Sequence, residues 1–226
     1  MTARLPRHLA AALALAMGIG TLGAFAAPPA PTEAATSVTG TGLQLLARLG
    51  TASEHYWGYS RTYFIHWIDA DGDGCDTRRE VLVAESTTAV TIRSGCDIRG
   101  GTWFSVYDGK TTRDASTFDI DHVVALKEAW DSGAWSWTAS RRQRYANDLG
   151  DGRALRAVSA ASNRSKSDQD PAQWLPSRAA FRCTYAGQWV AMKLRWNLKV
   201  NTAERSALKR ILNACPSTKL TVAIVP

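Results

Sequence analysis

Apolar residues recur along this chain with two different periods, and the change from one to the other divides it. Over residues 41–59, Leu43, Leu46, Ala47 and Gly50 fall at helical spacing, with Leu45 and Leu49 beside them, which predicts a short helix. Beyond residue 65 the pattern turns to short runs rich in Val, Ile and Thr. Strands are expected at 65–69, 80–84 and 87–93, and a run of alternating large and small side chains predicts another at 103–107. Asp71-Gly72-Asp73-Gly74 and Gly100-Gly101 are the turns between them. Residues 118–124 predict a strand that runs straight into a helix at 125–130. A basic helix follows at 141–149, then a short strand at 155–159. Ser162 stands where an N-cap would, before a helix of about two turns that starts at Asn163 and that Pro171 stops. Residues 189–198 and 203–213 close the chain as two helices, or as a strand and a helix. Strands first and helices after is an α+β pattern.

The first residues change the picture of where the chain works. Arg4, Arg7 and His8 precede an almost unbroken run of Ala, Leu, Met, Ile and Gly, and Ala24-Phe25-Ala26 has the small-x-small form of a secretory cleavage site. The expectation is a signal peptide at 1–26, a disordered Pro-rich linker at 27–40, and one domain at 41–226. After export the protein is expected to be extracellular and free of the membrane, since the apolar run is too short and small-sided for a span. Cleavage removes Arg4 and Arg7 and no acid, so the net charge falls from +7 to +5. That basic balance favours a polyanionic partner without requiring one. Cys75, Cys96, Cys183 and Cys215 all lie in the exported part, and an even count there implies two disulfides. The local pairings Cys75–Cys96 and Cys183–Cys215 are expected. A zinc site built from the four lacks any C-x2-C spacing.

Three segments carry the chemistry: Asp119-Ile120-Asp121-His122-Val123-Val124-Ala125-Leu126, Ala146-Asn147-Asp148-Leu149, and Ser162-Asn163-Arg164-Ser165-Lys166-Ser167-Asp168. Hydrolysis of a phosphodiester needs a base for the attacking water and a cation to take up charge on the phosphorus oxygens. An imidazole, with an ordinary pKa near ~6.5, suits the first task, so His122 is the candidate base. Asp121 is a hard oxygen ligand for Mg2+, and the Asn163 amide oxygen is of the same kind. Lys166, at i+3 from Asn163, is placed to neutralise a phosphate. Adjacent strand residues point to opposite faces. Asp121 and His122 can therefore serve one site only at a strand end or bend.

These residues, with Cys75 to Leu82, Gly101-Thr102-Trp103, Glu128-Ala129-Trp130 and Asp170 to Pro176, resemble the HNH endonuclease superfamily. More closely, they are similar to secreted HNH-family proteins related to the C-terminal domain of GmrSD restriction enzymes. The resemblance implies a ββα-metal nuclease core with N-terminal strands and C-terminal helices. It implies His122 as general base, Asp121 and Asn163 on one Mg2+ or Mn2+, and products ending in 3′-OH and 5′-phosphate. Asn163 stands where many HNH proteins have a final His. Asn147 is the candidate for the middle Asn that orients the base.

Two further patterns remain. Asp69-x-Asp71-x-Asp73-Gly74 with Glu80 fits the Ca2+ loop of an EF-hand, although strands rather than helices are expected on both sides. Arg141, Arg142, Arg144 and Arg164 are candidate phosphate contacts, and Arg205, Lys209 and Arg210 form a second basic cluster at helical spacing. The reading is a secreted, monomeric, metal-dependent endonuclease without sequence specificity, on DNA rather than RNA. The alternatives are an extracellular module that binds polyanion without cutting it, and a Ca2+-stabilised wall protein with no catalysis.

Overall fold

A computed structural model describes residues 36–217 and 219–226, which belong to one compact unit. The predicted signal peptide and residues 27–35 of the predicted linker lie outside the described residues. The linker's last part does not: residues 37–40 belong to strand β1 (Ser37–Thr41), which pairs antiparallel with β8 (Lys219–Ala223). Alternation buries Gly40 and Val222 in this ribbon, so the segment folds because its backbone has a partner. Thr41 then caps α1 (Gly42–Arg48) with a capping box: its side chain accepts from Gln44 N, and Gln44 Oε1 accepts from Thr41 N at 2.9 Å.

The predicted strand at 80–84 is instead a helix, α2 (Thr77–Ala84). Its N-cap is Asp76, whose carboxylate accepts the amide hydrogen of Arg79 at 2.9 Å. Val81 and Val83 favour a strand by their own propensity. The cap, and the burial of Val81 and Leu82 against Trp103, Phe118 and Ile120, override that preference. The predicted strands at 87–93 and 103–107 shrink to β2 (Val90–Arg93), which pairs with β3 (Asp97–Gly100), and β4 (Trp103–Phe104), which pairs with β5 (Thr111–Thr112). The fold is α+β, but its sheets are separate two-stranded ribbons with helices interleaved, so strands do not simply precede helices.

The central ribbon joins β6 (Phe118–His122) to β7 (Leu155–Ser159), antiparallel, with His122 opposite Leu155. Between them run α3 (Leu126–Asp131) and α4 (Ala139–Ala146). Directly after β7 comes α5 (Ala160–Lys166), capped by Ser159 rather than Ser162: Ser159 Oγ accepts from Ser162 N at 3.2 Å. This helix ends at Ser167, which takes a φ of 51°, before Pro171 is reached. Then α6 (Arg182–Arg195) and α7 (Thr202–Asn213) complete the chain's helices, resolving both C-terminal segments as helical.

Two cores hold this together. The larger packs α1, α3, α4, α6 and α7 around Trp189, Tyr185, Trp196 and Leu208. The smaller lies under α2, with Trp103, Phe118, Ile120, Leu155 and Ala157. The central ribbon lies between them, because its two faces serve different neighbours. Cys75–Cys96 ties the acidic loop to the β2–β3 turn, and Cys183–Cys215 ties the start of α6 to the end of α7, as the local pairing predicts. By chain entropy each should add about 3–4 kcal/mol.

Candidate active site

Alternation along β6 sorts the site before any contact is drawn. Phe118, Ile120 and His122 share the face toward the smaller core, and Asp119 and Asp121 share the other, where α5 packs. His122 is the last residue of the strand. There the chain turns toward α3, and Asp121 and His122 line the same cleft despite their opposite faces.

The imidazole of His122 is buried and stacks on Trp67, with centroids 5.6 Å apart, and on Tyr145 at 6.3 Å. Its Nε2 lies 2.9 Å from the carbonyl oxygen of Ala146. A carbonyl can only accept, so Nε2 carries the proton and Nδ1 is the basic nitrogen. Burial, with Arg61, His66 and Lys166 adding repulsion, pushes the His122 pKa down to about 3, against the pull of the Ala146 carbonyl. The ring is neutral throughout the physiological range.

Asn147 does not touch His122. It fixes the loop whose carbonyl does: its Oδ1 accepts from Ile68 N at 3.2 Å and Thr77 Oγ1 at 2.8 Å, and its Nδ2 donates to Ile65 O at 2.7 Å and Gln143 O at 2.8 Å. Asn147 thus braces the turn that follows Ala146 and makes no contact with the imidazole expected to depend on it. Trp67, against the His122 ring, holds a φ of 61°, a strained value for a bulky residue.

Lys166 is not a phosphate contact. It is fully buried, with Nζ 2.8 Å from Asp121 Oδ1 and 3.0 Å from the carbonyl of His122. The i+3 spacing does bring it to the face of Asn163, but that face packs on the ribbon. The other oxygen of Asp121 accepts from the Tyr107 hydroxyl at 2.6 Å. Burial pushes the Asp121 carboxyl up, and the Lys166 ammonium and Tyr107 hydroxyl pull it back. Asn163 Nδ2 donates to Asp119 Oδ2 at 3.2 Å, and Asn163 also lines the cleft.

The cleft encloses about 410 Å3. It unites His122, Asp121, Asn163 and Arg164, and adds Tyr59, Arg61, Lys127 and Asp168. Tyr59 and Trp67 fall in segments that the sequence marks only as helix and strand, and Arg61 lies between them with no motif around it. Asp119 could have been found, since i−2 from Asp121 puts it on the same face. Asp121 and Asn163 suit one hard cation. Each Asp121 oxygen keeps a second lone pair, the amide oxygen of Asn163 is of the same class, and Mg2+ retains several waters beside one or two protein ligands.

The other candidates lie elsewhere. Arg141 donates to the carbonyls of Trp196, Val225 and Pro226 and stacks over Trp137. Arg142 donates to the carbonyls of Tyr63, Ala134 and Trp137. Both guanidiniums bind main chain rather than stand free for phosphate, while Arg144 and Arg164 are exposed. Arg205, of the second basic cluster, holds the carbonyls of Leu46 and Leu49 at the end of α1.

In the acidic loop, the carboxylates of Asp69, Asp71 and Asp73 lie within 4.8 Å of one another, and Asp73 also groups with Glu80. Cys75 beside them is in a disulfide and offers no sulfur. Gly74 takes a φ of 93°, and Asp69 accepts from the amides of Gly72 and Gly74. Burial and then the three aspartates push the Glu80 carboxyl up. Contrary to the expectation of strands on both sides, α2 leaves the loop as a helix.

Residues 95–211 match the family model described as GmrSD restriction endonucleases, C-terminal domain. The chain belongs to this family. That match spans β6, β7, α5 and every cleft residue except Tyr59 and Arg61. An uncharacterized secreted protein of Arthroderma benhamiae is 46% identical to this GmrSD-family chain over 158 residues, covering 70% of the chain and 76% of that protein. No solved structure matches. The chain is a secreted, extracellular protein, as its two disulfides and this relative attest. No helix among the described residues is long and apolar enough to cross a membrane.

Proposed function

We propose that this GmrSD-family chain is a secreted endonuclease of the HNH type, in which β6, β7 and α5 form the ββα-metal unit. The observation that carries the reading is His122: a neutral imidazole whose protonated nitrogen is tied to the Ala146 carbonyl, leaving Nδ1 as the base, in one cleft with Asp121 and Asn163. Nδ1 takes the proton from the attacking water. Lys166 and Tyr107 hold the Asp121 carboxylate in place, and Asp119 holds the Asn163 amide. Asp121 and Asn163 would hold one Mg2+ or Mn2+, which when bound supplies positive charge to the phosphate and its leaving oxygen. Arg61, Lys127 and Arg164 line the cleft as cations for the nucleic-acid backbone. A phosphate anion beside His122 favours the imidazolium, so the base strengthens when substrate arrives. The substrate is nucleic acid, DNA before RNA, and the protein acts as a monomer. Incubation of supercoiled plasmid with the purified chain, in Mg2+ and in EDTA, tests this: nicking that Mg2+ supports, EDTA stops and His122→Ala removes is expected. An inert parent across Mg2+ and Mn2+ would refute it and favour a binding module.

A second reading concerns the acidic loop. Its D-x-D-x-D-G spacing, the Glu80 carboxylate and the helix leaving it support a Ca2+ site made by Asp69, Asp71, Asp73 and Glu80. A rise in melting temperature with Ca2+ that Glu80→Gln abolishes would bear it out.

A further inference from the structure

Between α1 and α2 the chain is almost without regular structure, holding one bridge at Thr51 and a single 3-10 turn at Arg61–Tyr63. A stretch of that length inside a compact domain is usually functional. Its inner side is accounted for: Phe64 is buried, Trp67 stacks on His122, and Tyr59 lines the cleft. Its outer side is not. Tyr56 is 62% exposed and Trp57 79% exposed; Ile65 further along the segment is exposed, as is Tyr63, although its ring stacks on Trp130. Trp135, also exposed, stacks on His55 with centroids 4.6 Å apart. Large exposed apolar side chains are ordinary when scattered; gathered on one segment, they mark a surface that meets a partner.

The cations beside this surface say what the partner is. Lys127 Nζ, which also pairs with Asp131, lies 5.6 Å from the centre of the Tyr56 ring and 5.9 Å from that of Tyr59, and Lys127 itself lines the cleft. Arg61, on the same segment, lines it too. The aromatic surface therefore runs into the cleft through a lysine. Flat rings interleaved with cations along a path to a phosphodiester site match one strand of nucleic acid: its unpaired bases stack on the rings and its phosphates meet the ammonium and guanidinium groups. A duplex keeps its base faces stacked inside and offers the rings nothing.

We propose that the segment from His55 to Tyr63 is a stacking platform that leads an unpaired strand of nucleic acid into the His122 cleft, so that single-stranded substrate is preferred. This rests on the nuclease reading for its direction, but its test does not need cleavage. The full chain in EDTA is titrated into a fluorescent oligo-dT strand and a fluorescent hairpin duplex, and anisotropy is read. Tighter binding of the strand than of the hairpin is expected. Tyr56→Ala with Trp57→Ala should weaken strand binding by roughly tenfold or more and leave the hairpin nearly unchanged. Both side chains are mostly solvated, so the double variant keeps its core, which an unchanged melting temperature will verify. Equal affinity for strand and hairpin, a double variant that binds the strand like the parent, or a parent that takes a neutral oligosaccharide instead of the strand would each overturn the proposal. If the platform fails while His122-dependent nicking persists, only the platform is lost. If strand binding is found without cleavage in any metal, the platform stands and the nuclease reading falls.

Discussion

Two lysines are completely buried in this molecule, and their surroundings differ in one respect. Lys193 sits in the helical core, where it bonds Glu128 Oε1 at 2.6 Å, Glu204 Oε2 at 2.8 Å and the carbonyl of Lys199 at 2.8 Å. Glu204 is held further by Trp189 Nε1 and by the capping box of α7. Burial pushes both glutamates up and pulls Lys193 down, but the two carboxylates together hold the lysine above its usual range. Every donor of that ammonium has a protein acceptor, and the network ties α3, α6 and α7. Lys166 has one carboxylate, Asp121, and one carbonyl, and its carboxylate borders an open cleft. The first cluster is closed on itself. The second ends in a fixed carboxylate that lines the cleft, where the proposed metal would bind. A buried ion pair is weak evidence of function by itself; what separates the two is whether the carboxylate has somewhere to look.

The largest expected effect tests whether the open cluster does chemistry. His122→Ala should lower plasmid nicking by about 10²–10⁴-fold, the usual worth of a general base, with the far-ultraviolet spectrum unchanged. Parent-level nicking by that variant would remove His122 from the mechanism and leave the two clusters alike.

Truncating each lysine comes next. Lys166→Met and Lys193→Met each strand a buried carboxylate, and each should cost about 3–5 kcal/mol in urea unfolding. The difference should appear in what survives. Well below its melting point, Lys193→Met should nick at nearly the parent rate. Lys166→Met should lose activity and shift the Mg2+ dependence, since Asp121 loses the contact that orients it. Equal loss of nicking in both variants would mean that the cleft depends only on general stability.

The sequence made the ribbon and its helix legible because their signals are local. Residues 118–122 alternate, 155–159 are a short, largely apolar run, and Asn163 and Lys166 fall on one helical face; His122, Asp121 and Asn163 line one cleft. For Lys166, helical spacing gives the face but not what the face packs against; Asp121 and Tyr107 come from elsewhere in the chain. Residues 80–84 carry a strand signal inside the helix Thr77–Ala84 because Val81 and Val83 outweigh a cap that depends on one aspartate. Arg141 and Arg142 looked like a basic surface, yet they bind carbonyls far apart in sequence, which no composition argument reveals. The residues around the base, Trp67 and Tyr145, are brought there by tertiary packing alone.

A pH series sharpens the contrast with a smaller effect. His122 has a folded pKa of about 3, below its unfolded value near ~6.5. Above pH 6.5 both states are neutral there and nothing is lost. As pH falls from about 6.5 toward 3 the unfolded state takes up a proton that the folded state refuses, so stability declines. The buried carboxylates of the closed cluster act in the opposite sense, because their raised pKa values let the folded state bind protons first. Comparing parent with His122→Gln isolates the histidine: the variant should lose less stability than the parent between pH 6.5 and 4. Parallel curves would show that His122 is not held neutral.

The smallest effect concerns the acidic loop, a third arrangement of carboxylates that has no lysine at all. Asp69, Asp71 and Asp73 are exposed, so their mutual repulsion is screened by water and salt, and only Glu80 is partly withdrawn from solvent. A Ca2+ ion there would replace repulsion with attraction and would stabilise the folded state by mass action, about 2.7 kcal/mol at a concentration one hundred times Kd. Because Cys75–Cys96 already restrains the loop, less remains for the ion to order. A rise of a few degrees in melting temperature at millimolar Ca2+ is expected, absent in Glu80→Gln and absent with Mg2+ alone. Mg2+ should act at the cleft instead, restoring nicking without moving the melting temperature through the loop. If Ca2+ leaves the melting temperature of the parent unchanged, the aspartates are a turn that caps its own amides, and the molecule's metal chemistry is confined to the carboxylate that Lys166 holds.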